Sequence, residues 1–157
     1  MNEDHADVLL VCSSGGHLLQ MMALRPAWED LSRVWVTAGT SDARSLLAAE
    51  QVVIAYGPAH RSLTKLLLNI VLAWQVISRV QPRVVMSTGA AIAVPFVWIA
   101  RLRGIQVVHI ESLTRVHRPS LSGRMIAPAA NHLYVQWPEL RDSMHRSQFV
   151  GAVLSLR

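Results

Sequence analysis

Two hydrophobic periods alternate along the chain. Short apolar runs rich in Val, Ile and Leu, at residues 8–11, 33–37, 52–55, 83–86, 105–109 and 132–135, have the length and branching of buried strands. Between them, apolar positions recur at helical spacing over 16–24, 42–50, 64–80, 91–103 and 121–130. Strand alternating with helix predicts an α/β fold, a parallel, doubly wound sheet flanked by helices. No repeat, low-complexity tract or linker interrupts the pattern, so a single domain over 1–157 is expected. Residues 149–154 read as one more strand or as a docking segment.

The helical segment 64–80 is apolar on too many sides. Its widest stripe holds Leu66, Leu67, Ile70, Ala73, Trp74, Ile77 and Val80, which suffices for core packing. Leu68, Leu72 and Val76, four apart, form a second ridge among polar positions. With Arg61, Lys65, Arg79, Arg101 and Arg103 nearby, an anionic membrane surface would cover that ridge; burial by the fold itself or by a subunit is the competing reading. Asn69, Gln75, Ser78 and Arg79 keep the stretch short of the roughly 18 apolar residues of a membrane span. The chain is therefore expected to lie on a membrane at most. Its start, "MNEDHAD", is acidic where a secretory signal would be basic and then apolar.

Composition sharpens this picture. Hydrophobic residues make up 52% and charged residues only 16% of the 157, with a net charge of +5. Of the 15 basic residues all but Lys65 are arginine, a usage that codon bias explains as readily as anion binding. The single Cys12 permits no internal disulfide and reads as packing at a strand end.

In sheets of this kind ligands sit at the carboxyl ends of the strands. Three of the turns there are chemically loaded: "SSGGH" (Ser13, Ser14, Gly15, Gly16, His17), "STGAAIAVP" beginning at Ser87, and "HIESLTRVHRPSLSGR" beginning at His109. Glycines let a backbone approach a ligand closely, and the first amides of a helix donate to anions. The expected ligand is a phosphate or pyrophosphate, gathered by His17, Thr88, Gly89, Glu111 and Arg115 around one crevice. The plainer readings are a Gly-Gly turn that only reverses the chain and a His17 that only caps a helix. Histidine is nonetheless the side chain best suited to move a proton near neutral pH, and the positive end of a helix favours its neutral, basic form. His5, His60 and His145 read as solvated loop residues.

The Walker phosphate loop, the G-x-G-x-x-G dinucleotide fingerprint and the G-x-S-x-G nucleophile elbow are all missing, which sets aside kinase, dehydrogenase and serine hydrolase. No histidine has a metal partner at ligand spacing, so neither metal nor cofactor is expected.

The stretches "SSGGHLLQMMAL", "STGAAIAVPFVWIARLRGIQVVHIES" and "RVHRPSLSGRMIAPAANHLYVQWPEL" resemble, nearly along the whole chain, the PssD-type polysaccharide biosynthesis proteins. These are relatives of the membrane-recruiting subunit of the eukaryotic two-subunit UDP-N-acetylglucosamine transferase. The chain is also similar to the N-terminal lobe of the single-chain transferase that makes peptidoglycan lipid precursors, although it has fewer glycines at both turns.

The resemblance implies a Rossmann-like, acceptor-side lobe of a GT-B glycosyltransferase split into two polypeptides. It implies a partner subunit carrying most of the UDP-sugar site, a polyprenyl-pyrophosphate-linked sugar as acceptor, and peripheral attachment to the cytoplasmic face of the membrane. The product would be a capsule or exopolysaccharide, and nucleic acid is not a partner. On that reading His17 is the catalytic base, and Glu111 orients it, binds acceptor or is itself the base. The amides of Ser14, Gly15 and Gly16 and of Gly89, Ala90 and Ala91 hold the pyrophosphate, with Ser13 and Thr88 beside them and Arg115 or Arg118 adding charge. Two alternatives remain: a non-catalytic scaffold that recruits and activates the catalytic subunit, and a free-standing nucleotide-binding domain.

Overall fold

The computed structural model describes residues 5–57 and 62–154. Seven strands form one parallel sheet: β1 (Val8–Val11), β2 (Arg33–Ala38), β3 (Val52–Ala55), β4 (Val84–Ser87), β5 (Gln106–Ile110), β6 (His132–Val135) and the short β7 (Gln148–Phe149). Their order is β3-β2-β1-β4-β5-β6-β7. Among the described residues six α-helices connect them: α1 (Gly16–Ala23), α2 (Ser41–Leu46), α3 (Leu63–Val80), α4 (Ala93–Leu102), α5 (Leu121–Ile126) and α6 (Pro138–Arg141).

The central strands read as continuous apolar runs because helices cover both faces of the sheet. On β1, Leu9 and Val11 point into a core shared with Ala73, Ile77, Phe96, Val97 and Ile126 of α3, α4 and α5. Val8 and Leu10 point the other way, into a second core with Leu18, Met21, Trp28, Trp35 and Leu47. Cys12 lies in that second core as expected, and burial pushes its thiol up to about 12. The chain runs outward from β1 to β3 and then returns to place β4 on the other side of β1. The β1/β4 junction is therefore the switch point at which open α/β sheets form a ligand crevice.

The segment 64–80 turns only part of the expected stripe inward: Ala73, Ile77 and Val80 are buried, while Leu67, Ile70 and Trp74 are exposed. Asn69 is fully buried; its side chain accepts from the Tyr56 amide at 2.9 Å and donates to the Tyr56 carbonyl at 2.8 Å. Tying this polar position to the end of β3 rotates the helix, so that Ala73, Val76, Ile77 and Val80 face the core. The apolar surface left outside is Leu63, Leu67, Leu68, Ile70, Val71 and Trp74; of the expected ridge only Leu68 is exposed, since Val76 is buried and Leu72 packs against the core. Over 18 residues α3 reaches a mean hydropathy of 1.4, long and apolar enough by length and composition to cross a membrane. That corrects the expectation that the stretch is too short; its buried face nevertheless covers the sheet beside α4.

Candidate functional site

At the switch point, the first turn of α1 meets the turn after β4. The Nδ1 atom of His17 lies 2.7 Å from the carbonyl oxygen of Thr88, and the Thr88 hydroxyl donates to the His17 carbonyl at 2.8 Å. A carbonyl only accepts, so Nδ1 carries the proton and Nε2 of the neutral ring is left with a free lone pair. Burial holds the pKa of His17 below the ordinary imidazole value. The Thr88 carbonyl and Glu111 oppose that shift, while His109 and Arg115 add to it.

Gly89 makes this approach possible. Its φ is +106°, and a Cβ there would stand 3.3 Å from His17 Cε1 and 3.7 Å from His109 Cε1, so the glycine backbone passes between two imidazoles. Ala90 follows at φ +80°, a left-handed conformation that costs a side-chain-bearing residue roughly 1–2 kcal/mol.

Glu111 is fully buried beyond His109. Its carboxylate accepts from the Ser112 amide at 3.0 Å and the Ser120 hydroxyl at 2.9 Å, and stands 3.9 Å from His109 Nε2. Burial alone would raise its pKa; His109, the Ser112 amide and Ser120 together hold it below the ordinary carboxylate value. Helix α5 presses against the carboxylate at Gly123, where a Cβ would collide with Glu111 Oε2. Among the described residues Glu111 makes no hydrogen bond to His17 and does not line the cavity beside it. The Thr88 carbonyl, rather than Glu111, orients the His17 ring.

That cavity is about 540 Å³. Its lining combines polar His17, Ser62, Ser112, Thr114, Arg115, Ser120 and Ser122 with apolar Leu63, Leu66, Ala91, Val94, Leu121 and Met125. Leu63 and Leu121 of this lining are 80% and 74% exposed, continuous in chain with the exposed apolar residues of α3 and α5. A second cavity of about 590 Å³, on the side of β2 and β3, is lined by Ser13, Ser14, Gly39, Thr40, Gly57, Ala90 and Ala91. The expected site thus divides: His17 and Arg115 line one cavity, Ser13, Ser14 and Ala90 the other, while Ala91 borders both. Arg118 is exposed and lines neither.

Two of the expected anion-binding amides are engaged within the fold. Gly15 donates to the Asp42 carboxylate at 3.0 Å, and Gly89 donates to the Ser87 hydroxyl at 2.9 Å. A carboxylate beside the Gly-Gly turn also disfavours a second negative charge there. Gly16 remains exposed at the start of α1. His5 and His145 are exposed, as expected of loop residues; His60 and Arg61 lie outside the described residues.

Several residues of the site carry no local signal. Among the described residues His109 is fully buried with neither ring nitrogen hydrogen-bonded, and Ser120, Gly123, Gln20 and Gln136 act through partners distant in sequence. The motif "YVQWPEL", which holds Gln136, was the available pointer to one of them.

Residues 8–153 match the family model described as "Oligosaccharide biosynthesis protein Alg14 like". The chain belongs to the Alg14-like family. The Alg14-like chain is similar to the UDP-N-acetylglucosamine transferase subunit ALG14 of Eremothecium gossypii, 28% identical over 94% of this chain and 80% of that protein. To the human subunit of the same name it is 32% identical, over 53% of this chain and 41% of the relative. Among solved structures, MurG of Acinetobacter baumannii superposes with a TM-score of 0.74 at 17% identity, over 96% of this chain and 47% of that one. UDP-N-acetylglucosamine 2-epimerase of Rickettsia bellii gives 0.73 at 13%, over 93% and 44%. The Alg14-like chain thus spans less than half of the human relative and of both structures. The shared fold is the expected Rossmann-like lobe of the GT-B kind.

Proposed function

We propose that this chain is the acceptor-binding, membrane-associated subunit of a two-component inverting glycosyltransferase. The transferred sugar passes from a UDP-sugar to a sugar linked through pyrophosphate to a polyprenol. The names of its relatives support UDP-N-acetylglucosamine as donor and support a second, donor-binding subunit as partner. The product serves polysaccharide synthesis, capsule or exopolysaccharide.

One observation carries the reading: a single cavity is lined both by a fixed imidazole, an arginine and several hydroxyls and by the exposed leucines Leu63 and Leu121 of α3 and α5. Such a lining suits a molecule with a charged head and a long hydrocarbon tail. His17 Nε2 takes the proton of the acceptor hydroxyl as its oxygen attacks the anomeric carbon; the bond to UDP breaks and its electron pair leaves with the nucleotide. Arg115 and the hydroxyls of Ser112, Thr114 and Ser120 hold the pyrophosphate, and the exposed faces of α3 and α5 rest on the lipid surface. Buried Glu111 positions Ser112 and Ser120 and contributes negative charge near the His17 imidazolium formed during transfer.

The test is affinity purification of the tagged chain in mild detergent, followed by transfer assays with the purified assembly. A stoichiometric second Rossmann-like chain, with transfer requiring both, is the expected result. A lone monomer that binds nucleotide by itself would overturn the reading. A partner fully active without this chain would make the chain a recruiting scaffold.

A further inference from the structure

The "YVQWPEL" motif ends β6 in a buried carboxamide pair that the proposed chemistry does not use. Gln20 of α1 and Gln136 after β6 are 4% and 2% exposed, and their hydrogen-bonding capacity is almost wholly spent. Gln136 Nε2 donates to Gln20 Oε1 at 2.7 Å and to the Glu111 carbonyl at 2.9 Å. Gln20 Oε1 also accepts from the Leu113 amide at 2.8 Å, and Gln20 Nε2 donates to the Gly16 carbonyl at 3.0 Å. Gln136 Oε1 accepts from the Val153 amide at 2.9 Å. The neighbouring Trp137 donates from Nε1 to the Leu113 carbonyl at 2.6 Å. Four parts of the chain therefore meet at two side chains: the turn carrying His17, the turn carrying Ser112 and Arg115, the end of β6, and the segment 150–154.

We infer that Gln136 and Gln20 are positioning residues that transmit the placement of segment 150–154 to the cavity, fixing the Ser112 to Arg115 turn only while Val153 is seated. The chemistry demands this residue type. At 136 the side chain must present two N–H donors and one acceptor at once, which a carboxylate cannot do and a shorter carboxamide does not reach. Buried networks of this kind are high in stake, because losing one member leaves the others unpaired in a low dielectric. Removing the Val153 donor orphans Gln136 Oε1. The amide then reorients toward another donor, and its bonds to Gln20 and to the Glu111 carbonyl go with it. This inference depends on the proposed function only for what the displaced residues would do to substrate.

Backbone amide exchange and side-chain resonances of the labelled full chain test it without any assay of transfer. Val153→Pro removes one N–H in an outlying segment and spares both carboxamides. It is expected to lower the protection of the Leu113 amide, three hydrogen bonds away, by at least about tenfold and to shift the Arg115 Nε resonance, with the amides of β3 unchanged. Gln136→Glu is expected to do the same with Val153 intact. A Leu113 amide within twofold of its original protection in Val153→Pro, with shifts confined to 148–154, would overturn the inference and leave the pair a structural plug. Should Gln136→Glu fail to fold, Val153→Pro decides alone. Neither result depends on His17, so failure here and failure of the transferase reading are separable.

Discussion

His17 and Thr88 hold each other twice, ring to carbonyl at 2.7 Å and hydroxyl to carbonyl at 2.8 Å, across 71 residues of sequence. The pair closes the switch point between β1 and β4 and leaves Nε2 as the imidazole nitrogen not taken up by Thr88. The acid limb of transfer should follow from it. If His17 is the proposed base it works neutral with its pKa lowered, so transfer is expected to rise with pH along a limb below the ordinary histidine value of about 6.5 and to level off by neutrality. The same shift makes the unfolded chain the stronger proton binder in that window. Stability therefore falls as pH drops below about 6.5 toward the folded-state pKa, with His17→Gln flattening that dependence in urea titrations at successive pH values.

Gly123 and Glu111 give a second prediction. Gly123→Ala forces a methyl into the carboxylate and is expected to cost about 1–3 kcal/mol in urea unfolding. In a Glu111→Ala background the same change should cost much less, and equal costs in the two backgrounds would disprove the packing relationship.

Ala90 carries left-handed strain that glycine would relieve. Ala90→Gly is expected to raise the urea midpoint at unchanged slope, a gain of about 0.5–1 kcal/mol once glycine's greater unfolded-state freedom is subtracted.

How much of this was legible in the chain divides along physical lines. Six strands and five main helices followed from hydrophobic period, because burial on both faces of the sheet writes itself into the local pattern. The departures lie where a distant partner or a nearby proline overrides that pattern. Helix α2 stops at Leu46 rather than 50, and Glu50 instead holds the Arg33 guanidinium with bonds of 2.9 and 2.8 Å. Helix α5 stops at Ile126 and gives way to a tight turn with Pro128 near its start. The buried side of α3 departs from its apolar wheel because polar Asn69 belongs inside, paired with the Tyr56 backbone. At the site, His17 and the three turns were visible as residue types at strand ends. The roles of Thr88's carbonyl, Gly123 and Gln136 were not, since each consists of a contact between residues far apart in sequence.

The exposed face of α3 supplies a fourth prediction. Leu67 and Val71 are 63% and 55% exposed, so Leu67→Gln with Val71→Gln should leave the melting temperature nearly unchanged. Partition onto vesicles containing phosphatidylglycerol should fall at least about tenfold. Undiminished vesicle binding would remove this face as the membrane surface.

The most direct measurement is single-turnover transfer by the assembly of this chain with its donor-binding partner, comparing the native protein with His17→Ala at saturating acceptor. With His17 Nε2 as the base, the rate of the chemical step drops at least about tenfold while acceptor affinity and subunit assembly stay as they were. An unchanged rate in an intact assembly would contradict it and place the base on the partner.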